Sequence, residues 1–426
     1  MTTRTLNLPQ PRFLRTLTVD GRLLFLTRMS RMFAYGFLSV VLALYLAQIG
    51  LGETQIGLLL TLTLVGDTVI SLFLTTRADR FGRRHMLLVG AGLMVFAGAF
   101  FAFTKNYIWL VVTATIGVIS PSGNEVGPFL SIEQAALAQL LPATQRTRVF
   151  AWYNLAGSFS TAFGALSGGG LAQLLQGAGF THLNSYRAVV MGYAGIGLLL
   201  IFLFRRVSNQ VEVSSSQSSL TKGKSSRLGL TRSGKAVFKL SALFALDAFA
   251  GGFVIQSMIA YWFNLRFGVE PAILGAIFFG ANILAGLSAL SAAWIATRIG
   301  LINTMVFSHL PSNILLILVP FMPSLGLAIA FLLLRFSISQ MDVPTRQSYT
   351  MAVVDPEERS AAAGITGVAR TTGSALAPVF SGILLSSSAL IGLPFVISGT
   401  LKIIYDVGLF VNFRSLKPPE EMKHEK

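Results

Sequence analysis

The chain has no cysteine. That excludes a disulfide framework and any thiolate metal site. Charge is scarce too: 12% of the 426 residues are Asp, Glu, Lys or Arg and 53% are hydrophobic, where a soluble domain carries roughly a quarter charged residues. So little polar material cannot cover a water-facing surface. Of the four histidines, His85, His182 and His424 fall in polar stretches, and His309 sits in an apolar run beside Pro311. None has another ligand type close by in sequence, so neither a metal nor a cofactor is expected. A Gly-x-x-x-x-Gly-Lys-Ser/Thr loop is missing, which leaves direct ATP drive without support. No histidine pair within an apolar run and no Gly-x-Ser-x-Gly stretch is present, so the chain does not read as a membrane-embedded enzyme.

What the chain has instead is long apolar runs. About twelve, each near the ~20 residues that cross a bilayer core, begin close to residues 23, 55, 86, 108, 147, 186, 237, 272, 303, 325, 359 and 390. Only helices satisfy the backbone within each such segment, and the runs are too long and continuously apolar for barrel strands. The first run lacks a small-residue cleavage site and reads as a retained helix. The net charge of +16 is concentrated on alternate loops. Arg4, Arg12, Arg15 and Arg22 precede span 1; Arg77, Arg80, Arg83 and Arg84 follow span 2; Arg146 and Arg148 follow span 4; Arg298 follows span 8. The other loops carry little beyond Lys105, Arg187 and Arg266. This bias places both termini in the cytoplasm and reports orientation, not affinity for nucleic acid.

Residues 208–234 break the apolar pattern with Ser214, Ser215, Ser216, Ser218 and Ser219 and several bases, against the single acid Glu212. They read as a cytoplasmic linker. The expected organisation is a cytoplasmic segment 1–22, a six-helix bundle 23–207, the linker 208–234, a second bundle 235–413 and a cytoplasmic tail 414–426. The fold class is therefore all-α, a membrane protein of two pseudo-symmetric six-helix bundles. Internal similarity supports this. Ala78, Arg80 and Gly82 recur 218 positions later as Ala296, Arg298 and Gly300, and Gly57 recurs as Gly275. Further on the offset is 213: Gln134 with Gln347, Arg146 with Arg359, Gly169 with Gly382.

The stretch Arg77-Ala-Asp-Arg-Phe-Gly-Arg-Arg84 resembles the loop 2–3 signature of the major facilitator superfamily, with Thr75 where that signature has its leading glycine. The resemblance spans the chain through the twelve runs, the basic central loop and the eroded second copy, where Thr297 replaces the acid. It implies alternating access and a cytoplasmic gate built on Asp79, Arg80, Gly82 and Arg83. Asp79 would meet the start of span 11, and Arg83 would meet acids at the end of span 4. Span 5 holds Gly164-Ala-Leu-Ser-Gly-Gly-Gly170, similar to the glycine-proline motif of the family's antiporters except that Gly169 replaces the proline. That motif points to export.

Ionisable groups inside the spans cost roughly 2.5–3.5 kcal/mol each when lipid-exposed, so they face protein or a cavity. Arg335, Asp342 and Arg346 share one helix face at spacings of seven and four. The repeat offset places Glu133 opposite Arg346, and a bridge between them is expected to help close the cytoplasmic side. Glu125 stands beside a proline- and glycine-rich break in span 4 (Pro121, Gly123, Gly127, Pro128) without a base nearby in sequence. It is the first candidate for proton coupling, followed by Asp342 and Asp247. Asp67, Asn154, Gln256, Arg335 and Arg370 are candidates for the substrate cavity. Arg28 and Arg31 are expected near a membrane interface, and Lys402 and Asp406 as a local pair. The sequence reads as a secondary transporter in the cell membrane, acting as a monomer on a small organic solute with protons as coupling ion. Export is favoured; uptake or exchange of an organic anion, and a non-transporting sensor, stand as alternatives.

Overall fold

The structure is a computed structural model that describes residues 17–212, 232–414 and 416. Arg4, Arg12, Arg15, the linker serines, Lys222, Lys224, Arg227 and His424 lie outside them. Sixteen α-helices follow one another: α1 (Val19–Ser39), α2 (Leu42–Gln48), α3 (Glu53–Phe81), α4 (Arg83–Phe103), α5 (Tyr107–Ile116), α6 (Phe129–Leu140), α7 (Ala143–Gly177), α8 (His182–Arg205), α9 (Gly234–Gly252), α10 (Gln256–Phe267), α11 (Pro271–Ile299), α12 (Leu301–Leu318), α13 (Leu325–Ser339), α14 (Asp342–Val353), α15 (Arg359–Leu385) and α16 (Leu393–Phe413). Thr18 and Ser324 cap α1 and α13 through their hydroxyls, and Pro271 begins α11, each where a helix start leaves N–H groups free or a missing one harmless.

Nine helical stretches among the described residues are long and apolar enough to cross a membrane, and α1–α2, bent by 42°, make a tenth. Adding α5–α6, whose pieces are individually too short, and the 35-residue α7, whose start is polar, gives twelve spans. Four of them are interrupted. Span 1 breaks between α1 and α2, span 4 between α5 and α6, span 7 between α9 and α10, and span 10 between α13 and α14. These positions are related by the internal repeat. In span 4 the break runs through Pro121, Gly123 and Gly127, the glycines at φ 69° and 79°. In span 10, Pro344 sits in the first turn of α14, where it withholds the N–H that would continue α13.

The repeat is visible in its turns. Gly82 and Gly300, the matched pair from the sequence, adopt φ 96° and 85°, a backbone region that a side chain would strain. It is visible again where the halves meet. Gly57 of span 2 packs on Gly382 of span 11, and Gly169 of span 5 on Gly275 of span 8. A Cβ on Gly57 would lie 2.9 Å from the Gly382 Cα, and one on Gly169 3.0 Å from the Gly275 Cα. The two crossings are the same contact made twice.

The hydrogen bonds that join the halves cluster at the end away from the chain termini, the far end. Ser257 donates to the Ser39 and Pro121 carbonyls (2.8 and 2.6 Å), Gln256 to Ser39 (2.8 Å), Tyr261 to Glu53 (3.0 Å), and the Val379 amide to Thr61 (2.9 Å). At the near end, Gly364 and Gly367 of span 11 have open space where a side chain would stand.

Candidate functional site

Span 1 delivers Arg28 and Arg31 to the interior of the first half, three residues apart and so on one face of α1. Arg31 is fully buried. Its two terminal nitrogens donate to the two oxygens of Glu133, each at 2.8 Å, and its Nε to Glu125 Oε1 at 2.8 Å. Arg28 donates to the other Glu125 oxygen (2.8 Å), to the Tyr153 carbonyl (3.0 Å) and to Asn154 (3.3 Å). Thr27 and the Tyr153 hydroxyl complete the shell of Glu133. Arg28 stacks on Tyr153 and Arg31 on Phe129, contacts that gain strength when desolvated. Two bases and two acids thus neutralise each other, with every carboxylate oxygen engaged. A fork-on-carboxylate pair of this kind is what makes a buried charge tolerable.

Several expectations are corrected here. Arg28 and Arg31 do not snorkel, because Glu125 and Glu133 compensate them inside. Glu125 has two bases, supplied by span 1 and invisible in its own neighbourhood of the sequence. Glu133 is not bridged to Arg346; its oxygens are taken by Arg31, Thr27 and Tyr153.

Arg346 is occupied within the second half, at 3.1 Å from Asp247 and 2.9 Å from Asp342. Lys402 reaches Asp247 at 2.6 Å, which corrects the local pair with Asp406. Asp406 instead accepts from Asn313 at 2.8 Å and lies 2.8 Å from His309 Nδ1. Asp247 is therefore the hub that ties span 7 to spans 10 and 12. His309 and Asn313, one turn apart on α12, were not singled out by sequence as partners of Asp406. Their i,i+4 spacing inside an apolar helix was the available signal.

Two arginines stand outside this bookkeeping. Arg335 and Arg370 form no ion pair among the described residues, and the Nε of each has no hydrogen-bond partner. Arg335 is only 7% exposed. In the first half the counterpart is Asp67, which accepts from the Gly127 amide at 2.6 Å and is in no ion pair among the described residues. Gln256 lies at the far-end closure, donating to Ser39 and accepting from Asn282. Asn154 flanks Arg28.

The loop after span 2 makes contacts of its own. Arg83 binds Asp79 through Nε at 2.9 Å and reaches Gln139 at the end of span 4 at 3.0 Å, an amide where an acid was expected. Asp79 is 68% exposed and pairs with Arg83, not with span 11. Glu212, the first acid after span 6, accepts from the Arg83 and Arg84 amides at 2.7 and 3.1 Å and so caps the start of α4. Arg80 is exposed at the end of α3, and Gly82 forms the turn itself. Among the described residues no group of three or more His, Asp or Glu is placed to hold a metal ion.

Residues 24–378 match the Major Facilitator Superfamily. The chain belongs to that family. The uncharacterised membrane protein YJR124C of Saccharomyces cerevisiae is 31% identical over 422 residues, covering 92% of this chain and 94% of that protein. Among solved structures, the bacterial homologue of the human lysosomal transporter Spinster, in an inward-facing and occupied conformation, has a TM-score of 0.72 at 15% identity, covering 93% of this chain and 96% of its own. The D-xylose–proton symporter has a TM-score of 0.71 at 16% identity, covering 92% and 97%, and the nucleoside transporter NupG 0.70 at 13%, covering 93% and 100%. These folds carry twelve helices in two bundles. As a member of the Major Facilitator Superfamily, the chain is a multi-pass membrane transporter of some solute and not an enzyme.

Proposed function

We propose that this member of the superfamily is a secondary transporter that moves a small organic solute by alternating access, coupled to protons, with export the favoured direction. The observation that carries it is that each half is braced by its own buried charge network while the halves are joined at one end. Such halves rock as rigid bodies without breaking their internal ion pairs. The positive-inside bias supports cytoplasmic termini, and the proposal includes the cell membrane as location and the monomer as working unit.

The proton carrier moves in this reading. Glu125, Asp342 and Asp247 are each held by guanidinium or ammonium groups, and a proton reaches them only by displacing a cation. Asp67 has no such competitor and faces the break in span 4. A carboxylate within a membrane span and free of a cation is suited to carry a proton. Asp79, Arg80, Gly82 and Arg83 remain the gate of the near end, with Asp79 held by Arg83 and away from span 11 in this conformation.

The test is flux in proteoliposomes across a panel of fluorescent and radiolabelled organic solutes, with and without an imposed pH gradient. Gradient-driven flux that Asp67→Asn uncouples is expected. Flux indifferent to the gradient removes the proton, and no flux for any solute favours a non-transporting sensor. A second reading, uptake or exchange of an organic anion, is favoured by the two unpaired arginines.

A further inference from the structure

Arginine is ionised under all ordinary conditions, and a buried guanidinium without a counter-charge is among the most destabilising features a fold can carry. The second half nevertheless carries one such group, Arg335, and a second arginine, Arg370, that is part-buried and equally without an ion pair among the described residues. The other buried bases within the spans, among the described residues, each have a carboxylate: Arg28 and Arg31 on Glu125, Arg346 and Lys402 on Asp247. The acids of the second half are spent on those partners, Asp247 on Lys402 and Arg346, Asp342 on Arg346, and Asp406 on His309 and Asn313. Among the described residues, no acid within the spans of this half pairs with Arg335 on span 10 or Arg370 on span 11. Arg335 lies two turns before Asp342 on span 10, whose partner Arg346 reaches Asp247 of span 7. Gly373, one turn after Arg370, packs on Ala245 of that same span 7, so spans 7, 10 and 11 bring both arginines towards one centre. One turn beyond Arg335, the buried Ser339 hydroxyl also has no hydrogen-bond partner. Phe336 stacks beside the Arg335 guanidinium, 4.9 Å from it.

We infer that Arg335, Arg370 and Ser339 form the solute site of the second half and that the solute is an organic anion, an oxyanion joined to an apolar or aromatic body. The two guanidinium groups supply forked donors for a carboxylate or phosphate, the serine a third donor, and Phe336 a surface for the body. The occupant supplies the counter-charge that the fold withholds. This rests on the transporter reading above and names its substrate class.

The full-length protein is purified in detergent, and its thermal unfolding is followed by its tryptophans with benzoate, phenyl phosphate or neutral benzamide at millimolar concentration. Benzoate or phenyl phosphate is expected to raise the melting temperature by several degrees, and benzamide to leave it unchanged. The stronger of the two anions shows whether a carboxylate or a phosphate monoester is the preferred head. In Arg335→Met the shift is expected to vanish while the unliganded protein melts at the same or a higher temperature, because an unpaired charge has been removed. A purely structural arginine gives the opposite: a lower unliganded melting temperature with the anion shift retained. That result, equal stabilisation by benzamide, or no stabilisation by either anion overturns the proposal. Arg335→Lys keeps charge without the fork and is expected to restore part of the shift. Flux of the stabilising anion in liposomes is read separately. An anion that binds without being carried removes the transporter reading and leaves the site. Gradient-driven flux of neutral solutes alone removes the site and leaves the transporter.

Discussion

At the scale of single residues, the interior depends on which carboxylate each arginine holds. Arg31→Met strands Glu133 in a buried pocket, and breaking a buried pair from one side costs about 3–5 kcal/mol. The double variant Arg31→Met, Glu133→Gln removes both charges and is expected to recover most of that loss, measured as thermal unfolding in detergent. In a double-mutant cycle Arg31 and Glu133 therefore show strong coupling, while Glu133 and Arg346 are expected to be additive, since they share no partner. A cycle with the reverse outcome would mean that the span 4–span 10 bridge forms after all. The sequence showed that these charges had to face inward but not whom they face. Arg31 and Glu133 are 102 positions apart, and partner choice at that separation is decided by helix packing, which composition and periodicity do not encode. The pseudo-symmetry pointed to Arg346, and here it misled: the duplicated halves kept the positions and changed the residues.

At the scale of helices, the repeat was legible because it is carried by glycines that the packing requires. Gly57, Gly275, Gly169 and Gly382 stood out as offset matches, and they meet as two crossings between the halves. In span 5 this also accounts for Gly169, which the antiporter motif would make proline: its place is set by the close approach of Gly275. A methyl group at Gly169 would stand 2.1 Å from the Pro271 carbonyl, and overpacking of this kind costs typically about 1–3 kcal/mol. That cost falls on the conformation described here, in which the far end is closed. Gly169→Ala and Gly57→Ala are thus expected to shift the population towards the opposite conformation. Labelling of a cysteine introduced at Gly367, on the open near end, should slow in either variant. Unchanged labelling would show that the crossings persist in both states. The four interrupted spans were only partly legible. Span 4 announces its break with glycine and proline and span 7 with Gly251 and Gly252 at the end of α9, whereas span 1 bends at Ser39–Leu42, where no such residue marks the chain.

At the scale of the whole molecule, the twelve spans and the division into halves followed from apolar runs and a polar centre. Spans 4 and 5 were also counted from their apolar runs, but that span 4 is two short helices and that span 5 begins with a polar turn needed the structure. The conformation, closed at one end, was not legible at all, because one sequence serves every state of the cycle. It is open to direct test. The natural chain has no cysteine to react in the background, so Ser39→Cys with Ser257→Cys places one thiol in each half at the far end. A short bifunctional maleimide is expected to join them and abolish flux, with full protection of the singly substituted proteins. Cross-linking that leaves flux intact would show that the far end does not open during transport.

The far-end closure has a thermodynamic consequence. Its bonds run from hydroxyl and amide donors of Ser257, Gln256, Tyr261 and the Val379 backbone, and none separates an ion pair. Opening trades each of them for a bond to water, a nearly even exchange in which the net contribution of one bond is about 0.5–1.5 kcal/mol. Dissolved salt screens charges and leaves neutral hydrogen bonds almost untouched. Apart from the Tyr261 bond to the Glu53 carboxylate, the far end is therefore a latch whose strength varies little with ionic strength, suited to a surface where the medium changes and the transport cycle must not.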